Sequence, residues 1–120
     1  MNIHEKINYV EFPAKDFNAT KLFYQSVFDW SFTDYGPEYM SFDEQGLVGG
    51  FYLSEKSSSR EQGAALVIFF SDDLLSTQSK IESAGGTINI PTFTFPGGER
   101  FHFCDPNGNE FAVWSDQNVE

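Results

Sequence analysis

Asp16-Phe17-Asn18-Ala19-Thr20-Lys21-Leu22-Phe23-Tyr24-Gln25-Ser26-Val27-Phe28-Asp29 begins on a residue that caps helices and ends on one that tolerates a left-handed backbone. Between them Ala19, Leu22, Phe23 and Val27 recur at three- and four-residue steps, so they fall on one helical face. This pattern predicts an amphipathic helix lying on a sheet. Upstream, residues 7–12 read as a strand closed by Pro13. Downstream, the runs 30–35, 38–42 and 47–53 are aromatic-rich and are separated by Gly36-Pro37 and by Asp43-Glu44-Gln45-Gly46, which are hairpin signals. The order is strand, helix, strand, strand, strand.

That order returns. Residues 54–63 are rich in Ser and charge and contain no aliphatic side chain, so burial cannot offset the entropy of ordering them, and they read as a mobile linker. Beyond them residues 64–70 form a nearly continuous apolar strand, Asp72 and Asp73 can cap a helix running to Ala84, and Gly85-Gly86 stops it. Strands over 87–95, 99–104 and 110–115 follow. Asp16 to Asp29 and Asp72 to Gly85 are both thirteen steps, so a register repeats along with the order. The reading is one domain over 1–120, α+β, with a βαβββ module at about 6–53, the linker at 54–63 and a second module at about 64–116.

Composition limits what such a domain can do. Eighteen acidic against seven basic residues give a net charge of −11, which repels nucleic acid phosphates and anionic membranes and favours a small neutral or cationic partner. With no apolar run long enough to span a bilayer, no secretory profile at the start and one cysteine, Cys104, a cytoplasmic location is expected. Fourteen Phe, five Tyr and two Trp in 120 residues are more rings than surface can carry, so most must line a core, an apolar cavity or a subunit interface.

The chain resembles the vicinal oxygen chelate superfamily, which holds glyoxalases, bleomycin resistance proteins and dioxygenases. The likeness rests on Asn8-Tyr9-Val10-Glu11-Phe12-Pro13 leading into Phe23-Tyr24-Gln25-Ser26-Val27-Phe28-Asp29-Trp30, then on Val48-Gly49-Gly50-Phe51, Ala84-Gly85-Gly86 and Asp105-Pro106-Asn107-Gly108-Asn109. With the ending Phe111-Ala112-Val113-Trp114 it looks most like a bacterial glyoxalase-like branch. The resemblance implies paired βαβββ modules in a curled mixed sheet, helices on its convex face, a ligand cup on the other, and a homodimer. It also implies where metal would bind: Tyr9, seven residues before Asp16, stands at the position of the first His; Leu66 at the second; Ala112 at the Glu; and Gly50 or Phe51 at the closing acid. Leu and Ala have no donor atom, whereas a divalent ion needs several N, O or S donors converging on it. Neither a metal nor a cofactor is therefore expected.

Strand alternation then sorts residues between cup and core. Stepping by two from the vacated positions Tyr9, Leu66 and Ala112 adds Ile7 and Glu11, then Ala64, Ile68 and Phe70, then Glu110 and Trp114 to the cup face. Asp105-Pro106-Asn107-Gly108 suits a type I turn with a Gly bulge, which pairs Asp105 with Asn109, His102 with Ala112 and Cys104 with Glu110. Arg100, His102 and Cys104 then share the cup, and Phe101 and Phe103 face the helices. The similar fosfomycin-resistance transferases have a polar substrate-contacting residue at the position of His102.

Several residues keep two readings. His102 is an acid or base among Tyr9 and Glu11, or a structural histidine. Glu11 lines the cup or caps a strand end near Lys15. Cys104 lines the cup edge or is a small half-buried hydrophobe. Gly49 and Gly50 mark a bulge or a close approach. No nucleophile elbow, phosphate loop or zinc spacing is present. The function expected is binding of a small molecule without metal. One rival is lyase, isomerase or transferase chemistry by His102, Glu11 and Tyr9; the other is an accessory domain with a vestigial pocket.

Overall fold

The computed structural model describes residues 2–43 and 46–116. Chain order is β1 (Val10–Ala14), α1 (Phe17–Phe28), β2 (Phe32–Asp34), β3 (Tyr39–Phe42) and β4 (Gly49–Leu53), then β5 (Val67–Phe70), α2 (Leu74–Ser83), β6 (Thr87–Phe95), β7 (Gly98–Cys104) and β8 (Glu110–Ser115). Both βαβββ units are there, and each builds its own four-stranded mixed sheet, ordered β1-β4-β3-β2 and β5-β8-β7-β6. In each sheet the first strand runs parallel to the last, and the other pairings are antiparallel.

Local chemistry explains the helices. The Asp16 side chain accepts from the Ala19 N–H, and Asp29 ends α1 in the left-handed region at φ 62°. Asp73, not Asp72, caps α2 by accepting from the Ser76 N–H; Ala84 closes it, and Gly85 takes the positive φ. The two helices are therefore not in identical register. The buried face of α1 is Thr20, Phe23, Tyr24 and Val27, whereas Leu22 lies out in solvent, so the apolar stripe is turned by one residue from the expected one.

β1 begins three residues later than the sequence suggested. Ile7 projects into solvent, and pairing starts where Val10 meets Gly49; Pro13 lies inside the strand, tolerated because β1 is a sheet edge. Gly49 and Gly50 are not a bulge, since both neighbouring ladders run through them without a shift. They mark close approach: a Cβ on Gly49 would strike the Val10 carbonyl and one on Gly50 the Tyr39 hydroxyl. In the expected turn at 43–46, Glu44 and Gln45 lie outside the described residues.

The core lies where the helix-facing sides of both sheets meet the helices. Phe12, Met40, Phe42 and Phe51 come from the first sheet, Phe101, Phe103, Phe111 and Val113 from the second, and Phe23, Tyr24, Val27 and Ile81 from the helices. Tyr24 of α1 touches rings of both sheets, with its centroid 5.6 Å from Phe51 and 6.2 Å from Phe111. Phe12 and Phe111 join the sheets directly, edge to face at 5.0 Å.

The linker is pinned, contrary to its composition. Glu110 N–H donates to the Ser58 carbonyl, Ser58 N–H to the Asn109 side chain, Ser57 Oγ to the Asn107 carbonyl and Arg60 N–H to the Glu110 carboxylate. Long-range hydrogen bonds thus supply what the segment lacks in apolar area.

Candidate functional site

The β7–β8 hairpin sets the geometry. Gly108 has φ 85°, Asp105 N–H donates to the Asn109 carbonyl, and His102 faces Ala112 while Cys104 faces Glu110. Extending these registers through β5 and β6 gives rows that cross the sheet on one face. One row runs Phe93, Arg100, Trp114, Phe70, and the next Ile90, His102, Ala112, Ile68. Phe101, Phe103, Phe111 and Val113 occupy the opposite, helix-packed face. The two residue sets therefore separate by face as strand alternation required.

Arg100 and Trp114 of the first row and Ile68 of the second line a cleft. Ile68, Phe95, Pro96, Gly97, Arg100, Trp114 and Asp116 enclose a volume of about 530 Å³. The Arg100 guanidinium lies 5.4 Å from the centroid of Phe93 and 5.7 Å from that of Phe95, a cation held on aromatic faces. Its Nε is buried with no acceptor. Phe70 meets Trp114 edge to face at 5.2 Å. A second cavity of about 510 Å³ lies between the modules, lined by Val10, Phe12, Trp30, Phe42, Phe69 and Phe111 among others. Among the described residues its walls carry no charged side chain to orient a ligand, which small-molecule sites usually possess.

His102 is fully buried in the neighbouring row. Its Nδ1 is 3.0 Å from Glu110 Oε2, and its Nε2 is buried without a partner. Burial alone would raise the Glu110 carboxyl, but hydrogen bonds from His102, the Arg60 N–H and Asn89 outweigh it and hold the group below its ordinary range. Glu110 is thus the ionised partner of His102 Nδ1 near neutral pH. The Phe93 ring lies 6.0 Å from the imidazole. Burial, followed by the Glu110 and Asp105 charges, pushes the half-buried Cys104 thiol up, so it remains protonated.

Tyr9 and Glu11 belong to a different group, on the first sheet. Tyr39 donates to Glu11 at 3.0 Å, and the Tyr9 hydroxyl is 2.6 Å from that of Tyr39. Burial, followed by these two partners, raises the Tyr39 phenol. Neither Tyr9 nor Glu11 lines the cleft around Arg100. The residues singled out in the sequence thus separate into a hydrogen-bonded trio on one sheet, containing Tyr9 and Glu11, and Ile68, Arg100, His102, Cys104, Ala112 and Trp114 on one face of the other, with Leu66 just before β5.

Sequence reasoning placed Glu110 on the cup face opposite Cys104 but missed its bond to His102, and it missed Tyr39, Phe93 and Phe95. That bond was within reach, since Glu110 lies diagonal to His102 once the turn fixes the register. Phe93 and Phe95 were not, because two register shifts in β6, on either side of Ile90, decide which β6 side chains meet Arg100.

The donor set does not fit a divalent metal. Leu66 and Ala112 supply no donor, the Tyr9 hydroxyl is engaged by Tyr39, and no group of three His, Cys, Asp or Glu converges among the described residues.

Comparison with known proteins adds the following. The family model described as Glyoxalase/Bleomycin resistance protein/Dioxygenase superfamily matches residues 6–113. No curated protein matches the chain. Among solved structures, the genomically encoded fosfomycin resistance protein FosX of Listeria monocytogenes superposes with a TM-score of 0.77 at 16% identity, covering 94% of both chains. A glyoxalase-related enzyme from Fulvimarina pelagi gives 0.75 at 17% identity over 92% of this chain and 88% of that one. Lactoylglutathione lyase from Agrobacterium tumefaciens gives 0.69 at 19% identity over 96% of both. At these identities the likeness is one of fold.

Proposed function

The chain belongs to the glyoxalase/bleomycin resistance protein/dioxygenase superfamily, and from that premise we propose that it is a small-molecule-binding protein that works without a metal, its site being the cleft around Arg100 and Trp114. The observation that carries this reading is the cleft itself, where an indole, a phenyl ring, an isoleucine and one guanidinium converge. Apolar walls with a few charged groups, here Arg100 and Asp116, are the usual make-up of a ligand pocket. Ala112 and Leu66, standing where the family's metal ligands would be, support a site that draws on area burial in place of coordination.

The enzymatic rival draws on His102, whose Nδ1 is engaged by Glu110 and whose Nε2 has no hydrogen-bond partner among the described residues. Against it, Nε2 is sealed from solvent, and Glu11 and Tyr9 are bonded to Tyr39 on the other sheet. Binding is therefore the better supported function. A homodimer in the cytoplasm completes the proposal, supported by the half-exposed Phe70 and Ile68 on the open face and by a lone, unpaired cysteine. No helix is long and apolar enough to cross a membrane among the described residues.

Native mass spectrometry of freshly purified protein tests the reading. It should find a substoichiometric organic adduct, or none, and no stoichiometric metal; one Ni, Zn, Fe or Mn per chain, lost on Tyr9→Phe, would overturn it. For any ligand so found, Trp114→Ala should weaken binding about tenfold or more.

A further inference from the structure

We infer that the cleft selects a monoanion, a carboxylate or comparable singly charged head on an apolar body about the size of an aromatic ring, with the Arg100 guanidinium as its receptor. The inference rests on the binding function proposed above and narrows it to a ligand class. It also reverses the ligand charge that the overall composition favours.

Among the described residues Arg100 is a cation without a counter-ion, in a chain that has 18 Asp and Glu. Acidic partners are plentiful, and the fold uses them elsewhere: Lys21 pairs with Asp34 at 2.8 Å. Arg100 makes no salt bridge or hydrogen bond among the described residues, and its buried Nε donates to nothing. Its supports are Phe93 and Phe95, which hold the guanidinium by their faces and leave its N–H groups unspent. A planar fork of unspent donors fits the two oxygens of a carboxylate.

The same rings argue against a cationic ligand. Two of the aromatic faces near the cleft that would attract one, Phe93 and Phe95, already carry Arg100. A dianion would be opposed more strongly than a monoanion by the field of a chain at −11. Trp114, Phe95 and Ile68 provide the apolar wall for the body of the ligand.

The test is a matched set of probes with one ring and three charges: 2-naphthoate, 2-naphthylmethanol and 2-naphthylmethylammonium. Binding is followed by NMR of the 15N-labelled protein at the Trp114 indole and the Gly97 amide. The acid should bind about tenfold or more tighter than the alcohol, and the ammonium weakest. Arg100→Met should bring the acid to the alcohol's level, and Arg100→Lys should keep part of the preference. In the wild type alone, salt raised from about 0.02 to 0.5 M should shrink the acid's advantage, which keeps the test decisive should Arg100→Met fail to fold. Equal binding of all three, tighter binding of the ammonium, or an acid preference that survives in folded Arg100→Met overturns the anion receptor and leaves the binding function standing. No response at Trp114 or Gly97 to any probe at millimolar concentration overturns both.

Discussion

Tyr24 donates its hydroxyl to Asp105 at 2.8 Å in the centre of the core. Burial, followed by the Asp105 charge, raises the phenol well above its ordinary range. The Asp105 carboxyl is also raised by burial, with hydrogen bonds from Tyr24, Asn109 and Asn107 pulling the other way. Tyr24→Phe removes one of those donors from a buried acid and should cost about 1.5–3 kcal/mol near neutral pH. The loss should be smaller in acid, where a protonated Asp105 needs the donor less; urea titration at two pH values checks this. Glu110 has the opposite sign. Its folded-state pKa is depressed, so its stabilising contribution is full above the unfolded value of about 4.3 and is lost as pH falls through the folded value. The melting temperature of the wild type should therefore exceed that of Glu110→Gln by most near neutrality, with the gap closing below about pH 4. A gap that widens on acidification would mean that Glu110 is not the ionised partner of His102.

The β7–β8 hairpin and the linker are held together by one turn. Asn107 accepts from the Lys15 N–H and donates to Thr20, Asn109 donates to the Pro13 carbonyl, and both bond to the linker, so Asp105-Pro106-Asn107-Gly108-Asn109 ties β1, α1 and residues 57–58 to the second sheet. Gly108 combines φ 85° with a Cβ position 2.8 Å from Ser57 Oγ. Gly108→Ala should cost about 1–2 kcal/mol for the left-handed backbone alone, and hydrogen exchange should speed up first at Ser58 and Arg60. This turn also shows what a sequence discloses. Its residues set the hairpin register, so the face shared by Arg100, His102 and Ala112 was readable in advance. Its side chains were not readable as tertiary links, because Asn107 and Asn109 bond to residues some fifty and ninety positions away. For the same reason composition made the linker look mobile. β1 was misplaced since alternation in 7–9 looks the same whether or not a partner strand lies alongside, and pairing begins at Val10.

At the scale of the molecule, the two open sheet faces carry Phe70, Ile68 and Phe93 on one side and Tyr9 and Tyr52 on the other, all more than a third exposed. Surfaces of this kind are usually covered in solution. Sedimentation at tens of micromolar should show a dimer, and Phe70→Glu should shift it toward monomer while leaving the helical signal intact. The aromatic excess read from composition is thus divided between a core shared by two modules and partly exposed sheet faces. The cleft beside Arg100 and Trp114 is the proposed binding site. A fragment screen of mixed neutral and charged aromatics, read by two-dimensional NMR over the whole assigned chain, tests it most directly. The predicted result is that hits move Ile68, Phe95, Gly97, Arg100 and the Trp114 indole together, whereas hits confined to Val10, Phe12 and Phe42 in the cavity between the modules, or shifts scattered without a common locus, would contradict it.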